Sequence, residues 1–200
     1  GSDDNLIIIY NKNTYQPDLI IKEHSDTVCC IIQLKSGELV SCSCDKTIKL
    51  YDIKKAQYEV LQTLNYHSDY IYKILELKNK KLVSCSRDCS IIFYLKDNNE
   101  YKKDFQISTI GRSSSMIQTK ENEICYSEEN NNSICFHDIS ERKIKATMGN
   151  AGCIIAFLTF VLISLLSSND FNACASESAR ESDNSPTLII LIYIGEKTFG

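Results

Sequence analysis

The sequence predicts an all-β fold in which short strands repeat in groups of four. Segments such as residues 28–34 and 47–52 are about four to eight residues long, rich in β-branched and aromatic side chains, and bounded by turn residues. The same segments return after 43 residues. No amphipathic helical stretch separates them, which argues against a parallel α/β sheet.

Two long segments carry the repeat. The run His24-Ser25-Asp26 returns as His67-Ser68-Asp69, and residues 39–45 return as residues 82–88, each with an offset of 43. No insertion interrupts this register over about thirty positions, so we interpret the two segments as copies of one structural unit.

Later copies are less regular. A third copy at the same offset has Ile110 in the histidine position and Asn131 in the aspartate position, and a fourth begins in the apolar run 156–166 and then drifts. The sequence therefore predicts five segments: leading strands over 1–23, a blade over 24–66, a blade over 67–109, a degenerate blade over 110–152 and a divergent blade over 153–200. Within the first segment, Gly1-Ser2 resembles a tag-cleavage scar.

A four-stranded unit cannot cover both of its faces alone, so units of this length stack as the blades of a β-propeller. The sequence resembles the WD-repeat β-propellers. His24 and His67 stand where that family has its Gly-His dipeptide, and Tyr51-Asp52 stands where it has Trp-Asp. The resemblance is strong over residues 24–109, although neither histidine follows a glycine and the chain has no tryptophan.

The resemblance implies two sets of side chains that join the strands of a blade through hydrogen bonds. They are His24, Ser41, Asp45 and Tyr51 in the first copy, and His67, Ser84, Asp88 and Tyr94 in the second. An aspartate in a tight turn can accept from a neutral imidazole that also meets a serine hydroxyl, so buried polar groups satisfy one another. A hydrolase triad is the alternative, but it needs one special copy in an exposed cleft. Two copies in register favour the structural role.

The resemblance also implies a binding face formed by residues three and five positions after each histidine and by the residue before each turn aspartate. These are Thr27, Cys29 and Cys44 in the first copy, Tyr70, Tyr72 and Arg87 in the second, and Ser113, Ser115 and Asn130 in the third. Tyrosine and arginine dominate interface hot spots, so the second copy is the strongest candidate for partner binding. Packing of both tyrosines against an adjacent blade is the alternative.

Composition excludes several other functions. The net charge of -4 leaves no broad basic field for nucleic acid. Neither glycine-rich phosphate-loop motif occurs, and the ten cysteines include no CxxC pair, so we predict no cofactor and no metal. Most cysteines lie in strand-like runs, which is typical of buried thiols in a reducing, cytoplasmic compartment. A redox or metal pair of Cys29 and Cys44 is a minor alternative.

One apolar run, residues 151–166, also fits a membrane segment near 151–168. A span needs about 20 apolar residues, and this run is shorter. Its β-rich composition and its register with the repeats favour a buried inner strand instead.

The sequence thus predicts a non-catalytic scaffold that presents a propeller face to protein or peptide partners. A membrane-tethered interaction protein and a propeller hydrolase are the alternatives. A seven-bladed ring needs about 300 residues. The chain is therefore expected to be a fragment, a half that pairs with another chain or with a second copy of itself, or a small closed ring.

Overall fold

The computed structural model describes residues 2–54, 57–130 and 132–148. These ranges form fourteen β-strands and no helix, and so they contain no helix able to span a membrane. The prediction of an all-β fold is confirmed. The predicted divergent blade over 153–200 and the apolar run 151–166 lie outside the described residues.

Two leading strands form a small antiparallel sheet of their own. Strand β1 is Ile7–Tyr10 and strand β2 is Pro17–Ile21, with Ile7 opposite Ile21. Both of these isoleucines are buried, and they pack with Val28 and Tyr51 of the following sheet. The leading sheet thereby covers one face of the first four-stranded sheet.

Three four-stranded antiparallel sheets follow, each with its strands in chain order. The first blade contains β3 (Val28–Gln33), β4 (Leu39–Ser43), β5 (Ile48–Lys54) and β6 (Gln57–Leu64). The second contains β7 (Ile71–Glu76), β8 (Leu82–Ser86), β9 (Ser90–Asp97) and β10 (Glu100–Ser108). The third contains β11 (Met116–Lys120), β12 (Glu123–Glu128), β13 (Ser133–Asp138) and β14 (Lys143–Met148). The predicted four-stranded, repeated blades are confirmed.

Apolar side chains fill the spaces between neighbouring blades. Leu50 and Cys42 of the first blade pack against Ile74 and Tyr94 of the second, and all four are nearly or fully buried. A second cluster joins the second blade to the third through residues such as Phe93. Each blade therefore covers a face that its neighbour could not cover alone.

Hydrogen bonds also join neighbouring blades at matching positions. The backbone N–H of Lys35 donates to Glu76 Oε2 at 2.8 Å, and the N–H of Lys78 donates to Gln118 Oε1 at 2.8 Å. The two donors are 43 residues apart in the sequence. The packing of one blade on the next therefore repeats together with the fold of each blade.

The ladder registers correct the predicted alignment of the third copy. Leu82 lies opposite Tyr94 in the second blade, whereas Ile124 lies opposite His137 in the third. Corresponding residues of β9 and β13 are therefore 43 positions apart, whereas those of β8 and β12 are only 42 apart. Corresponding residues of β7 and β11 are also 42 apart. An extra residue in the turn between β12 and β13 restores the offset.

This shift changes which residues of the third blade match the repeated polar positions. Thr109, and not Ile110, corresponds to the histidines, and Asn130 corresponds to the turn aspartates. The predicted match of Asn131 is therefore wrong by one position, and Asn131 itself lies outside the described residues.

Tight turns place the aspartates of the first two blades. The N–H of Asp45 donates to Ser43 Oγ at 2.9 Å, and the N–H of Asp88 donates to Ser86 Oγ at 3.1 Å. The next residues, Lys46 and Cys89, have φ of 71° and 60°, in the left-handed region. The chain reverses there and directs each carboxylate back toward the histidine of the same blade.

Candidate functional site

Each of the first two blades contains a buried histidine that is hydrogen-bonded on both sides of its ring. His24 Nδ1 lies 2.7 Å from Asp45 Oδ2, and His24 Nε2 lies 2.7 Å from Ser41 Oγ. In the second blade His67 Nδ1 lies 2.8 Å from Asp88 Oδ2 and Nε2 lies 2.7 Å from Ser84 Oγ. The structure thus brings together the residues that the repeat singled out.

The aspartates also accept hydrogen bonds from two neighbours that the sequence analysis missed. Thr47 Oγ1 donates to Asp45 Oδ1, and Ser90 Oγ donates to Asp88 Oδ1, each at 2.6 Å. Burial by itself would raise the pKa of each aspartate, but the hydrogen bonds from histidine and hydroxyl outweigh it and hold the pKa well below its usual range. The repeat could have predicted these two hydroxyls, because Thr47 and Ser90 each stand two residues after the turn aspartate.

A tyrosine ends each set. Tyr94 OH lies 2.9 Å from Ser84 Oγ, and Tyr51 OH lies 3.3 Å from Ser41 Oγ. Both tyrosines are fully buried, and burial raises the pKa of Tyr51 to about 12. In the first blade Ser41 Oγ donates to Tyr51 OH. In the second blade, with a neutral imidazole, Tyr94 can donate to Ser84, Ser84 to Nε2 of His67, and Nδ1–H to Asp88. Every buried polar atom of the set then has a partner.

The third blade has no such set among the residues that the structure describes. Tyr126 and His137 occupy the serine and tyrosine positions, and both are buried. Neither the Tyr126 hydroxyl nor either ring nitrogen of His137 has a hydrogen-bond partner in the described ranges. Burial lowers the pKa of His137, although Asp138 acts in the opposite direction.

The candidate binding face lies at the end of the blades that carries the histidine loops and the turn aspartates, and we call it the upper face. In the second blade the Arg87 guanidinium lies over the Tyr70 ring at 5.2 Å, and Arg87 Nε lies 3.7 Å from Asp69 Oδ2. Tyr72 is half-buried. Its pKa is raised, first by burial and then by the charge of Glu129.

In the third blade, Ser113 and Ser115 do not match the positions of Tyr70 and Tyr72. Ser113 is fully buried, and the N–H of Ser115 donates to Ser127 Oγ at 3.2 Å. The corrected register places Arg112 and Glu129 at the positions of Tyr70 and Arg87, with 3.7 Å between Arg112 Nε and Glu129 Oε2. Residues 113–115 are three consecutive serines, so the sequence could not show which of them matches Tyr72.

The remaining predicted face residues fall into two groups. Asn130 is exposed at the turn of the third blade. In the first blade, the Thr27 carbonyl accepts from the Cys44 N–H at 2.9 Å, and Cys29 Sγ lies 3.4 Å from Cys44 Sγ. No group of three or more metal-ligating side chains occurs within the described part of the chain.

The family described as "WD domain, G-beta repeat" has a model that matches residues 15–52. This segment is similar to a WD repeat. It contains the complete set of His24, Ser41, Asp45 and Tyr51, and the second blade repeats that set in identical register. WD repeats generally serve as scaffolds for protein–protein interaction, and the family is typically non-enzymatic. No match was found among curated proteins.

Proposed function

We propose that the protein is a non-catalytic scaffold that binds protein or peptide partners on the upper face of its second and third blades. The observation that carries the proposal is a surface in which two tyrosines and two arginines adjoin. Tyr70 stacks under Arg87, and Tyr72 is within electrostatic reach of Arg87 and Arg112. Aromatic rings offer large contact area with few rotors to immobilise, and guanidinium groups fork onto carboxylates.

The charges of this surface favour an acidic or mixed peptide. The two arginines are paired with Asp69 and Glu129 only at 3.7 Å, and all four side chains are about a third or more exposed. Such exposed ion pairs contribute little to stability, about 0 to 1 kcal/mol. A carboxylate of the partner can therefore replace either intramolecular one at low cost.

Burial supports a structural role for the histidine sets. Ser41 and Ser84, which would be the nucleophiles of a hydrolase, are fully buried, as are the rings of His24 and His67. A nucleophilic serine must reach the carbonyl of a substrate in an open cleft. The buried thiols of Cys42 and Cys85 accord with a reducing, cytoplasmic location.

The test is partner capture with variants of the upper face. Tyr72→Ala and Arg87→Glu should each weaken binding by at least about 1 kcal/mol, roughly fivefold in Kd, because hot-spot truncations cost this much or more. Isothermal titration with an acidic partner peptide identified by affinity capture and mass spectrometry measures the change.

Matched controls come from other surfaces of the chain. Tyr10→Ala and Lys103→Glu alter exposed residues of the leading sheet and of β10, and both should leave the affinity unchanged. If the two upper-face variants fold normally by circular dichroism and bind with the affinity of the parent, the interface lies elsewhere and the proposal is wrong.

A further inference from the structure

Two cysteines of the first blade face each other on the upper face. Cys29 lies on β3 and Cys44 follows β4, and their sulfur atoms are 3.4 Å apart without a disulfide bond. These positions correspond to Tyr72 and Arg87 in the second blade. We infer that Cys29 and Cys44 form a thiol–disulfide site, oxidised to a bond between β3 and the turn that carries Asp45.

A bulge in β3 creates this approach. The ladder pairs Val28 with Ser43 and Cys30 with Cys42, so Cys29 is the extra residue of β3. The Cys44 N–H donates to the Thr27 carbonyl at 2.9 Å, which holds the residue after β4 beside this bulge. The sulfur atoms need to approach by about 1.4 Å to reach the bond length of about 2.05 Å.

Exposure distinguishes Cys29 from the other thiols of the first blade, since Cys30, Cys42 and Cys44 are all buried. Cys29 is half-buried, whereas Cys30 and Cys42, which are opposite each other in the ladder, are 2% and 0% exposed. Cys30 and Cys42 also belong to the apolar cluster between the first and second blades. An oxidant from solvent therefore reaches the Cys29 sulfur first, and Cys44 is the thiol in contact with it.

The reaction needs a two-electron oxidant, and a hydroperoxide is the class that we name. The Cys29 thiolate attacks the peroxide, breaks its O–O bond and becomes a sulfenic acid, and the other peroxide oxygen leaves as an alcohol or as water. The Cys44 thiol then attacks the Cys29 sulfur and displaces water. In total, two thiols lose two protons and two electrons to the peroxide.

The surroundings of Cys29 determine how the rate depends on pH. Burial raises the pKa of Cys29, and the neighbouring Cys44 thiol raises it further. Since the thiolate is the nucleophile, oxidation should become faster as the pH rises.

The disulfide bond would also constrain the unfolded chain between residues 29 and 44, so the oxidised protein should have a higher Tm than the reduced protein.

The experiment treats the full chain with hydrogen peroxide, quenches the reaction, denatures the protein and counts free thiols. The parent should lose two of its ten thiols and the mass of two hydrogen atoms, and dithiothreitol should restore both. Cys29→Ser should keep all nine of its remaining thiols at the same peroxide dose. Cys44→Ser should lose only the Cys29 thiol, as a sulfenic acid that forms no bond to residue 44.

Three control variants test the assignment. Cys30→Ala and Cys42→Ala remove the competing buried pair, Cys89→Ser removes another half-buried thiol, and each should still lose two thiols. Tandem mass spectrometry of linked peptides locates the bond in the parent even where a variant fails to fold. The proposal is wrong if the parent keeps all ten thiols, if the bond joins any other pair, or if Cys29→Ser still loses two.

Discussion

The second and third blades each have four antiparallel strands in chain order, but they differ in the hydrogen bonding of their buried polar side chains. In the second blade Tyr94, Ser84, His67 and Asp88 form one continuous series of hydrogen bonds. In the third, the hydroxyl of Tyr126 and the imidazole of His137 are buried without partners among the described residues. A four-stranded blade therefore forms without the histidine set.

The difference shows which interactions specify a blade. Both blades keep alternating apolar residues, and Met116, Ile124 and Tyr126 of the third pack in the same cluster as Phe93 of the second. Burial of apolar surface is not directional, so it tolerates exchange of one residue type for another. A hydrogen-bonded set depends on four matched groups and is lost when one of them changes.

The largest expected effect comes from removing the turn aspartate of the second blade. Asp88→Ala leaves the His67 ring, the Ser68 N–H and the Ser90 hydroxyl without their acceptor, and it should lower the free energy of unfolding by about 1–3 kcal/mol. Asn130→Ala, at the matching position of the third blade, should change it by less than about 0.5 kcal/mol. Urea unfolding measures the free energy of unfolding of both variants. Equal decreases in the two would contradict the expectation that only the second blade depends on its turn residue.

Tyrosine hydroxyls give a smaller effect that should differ between the two blades. Tyr94→Phe deletes the hydroxyl that bonds Ser84 and should destabilise the protein by about 1 kcal/mol. Tyr126→Phe deletes a hydroxyl without a partner in the described ranges, so it should be neutral or slightly stabilising. Thermal and urea unfolding of the two variants test this, and a clear loss in Tyr126→Phe would mean that its hydroxyl has a partner.

The smallest effect concerns the titration of His137. Because burial lowers its pKa, the folded protein binds fewer protons than the unfolded chain below about pH 6.5, and stability should fall as the pH drops below that value. His137→Gln should remove this component of the pH dependence. NMR titration of the histidine ring protons checks it, with the His137 signal identified by its absence from the variant, and a His137 midpoint at or above 6.5 would contradict the expectation.

Local pattern was sufficient to predict much of the protein. Runs of β-branched and aromatic residues predicted the strands, and the undisturbed 43-residue offset predicted that Leu39 and Leu82 occupy matching positions. In the structure they lie opposite Tyr51 and Tyr94. The resemblance to the WD-repeat family implied the two histidine sets, and the repeat showed that both copies carry them in the same register. Their partners Thr47 and Ser90 repeat in the same way.

Only the tertiary structure decided the features that depend on contacts between distant segments. The third blade shifts by one residue, which places Arg112 on the upper face and buries Ser113, and no local signal distinguishes neighbouring serines. The bulge that brings Cys29 to Cys44 is likewise a property of strand pairing, since a ladder can absorb one extra residue in either strand. The sequence by itself determines the repeated strands and turns, whereas register and side-chain approach follow from how those strands pair and stack.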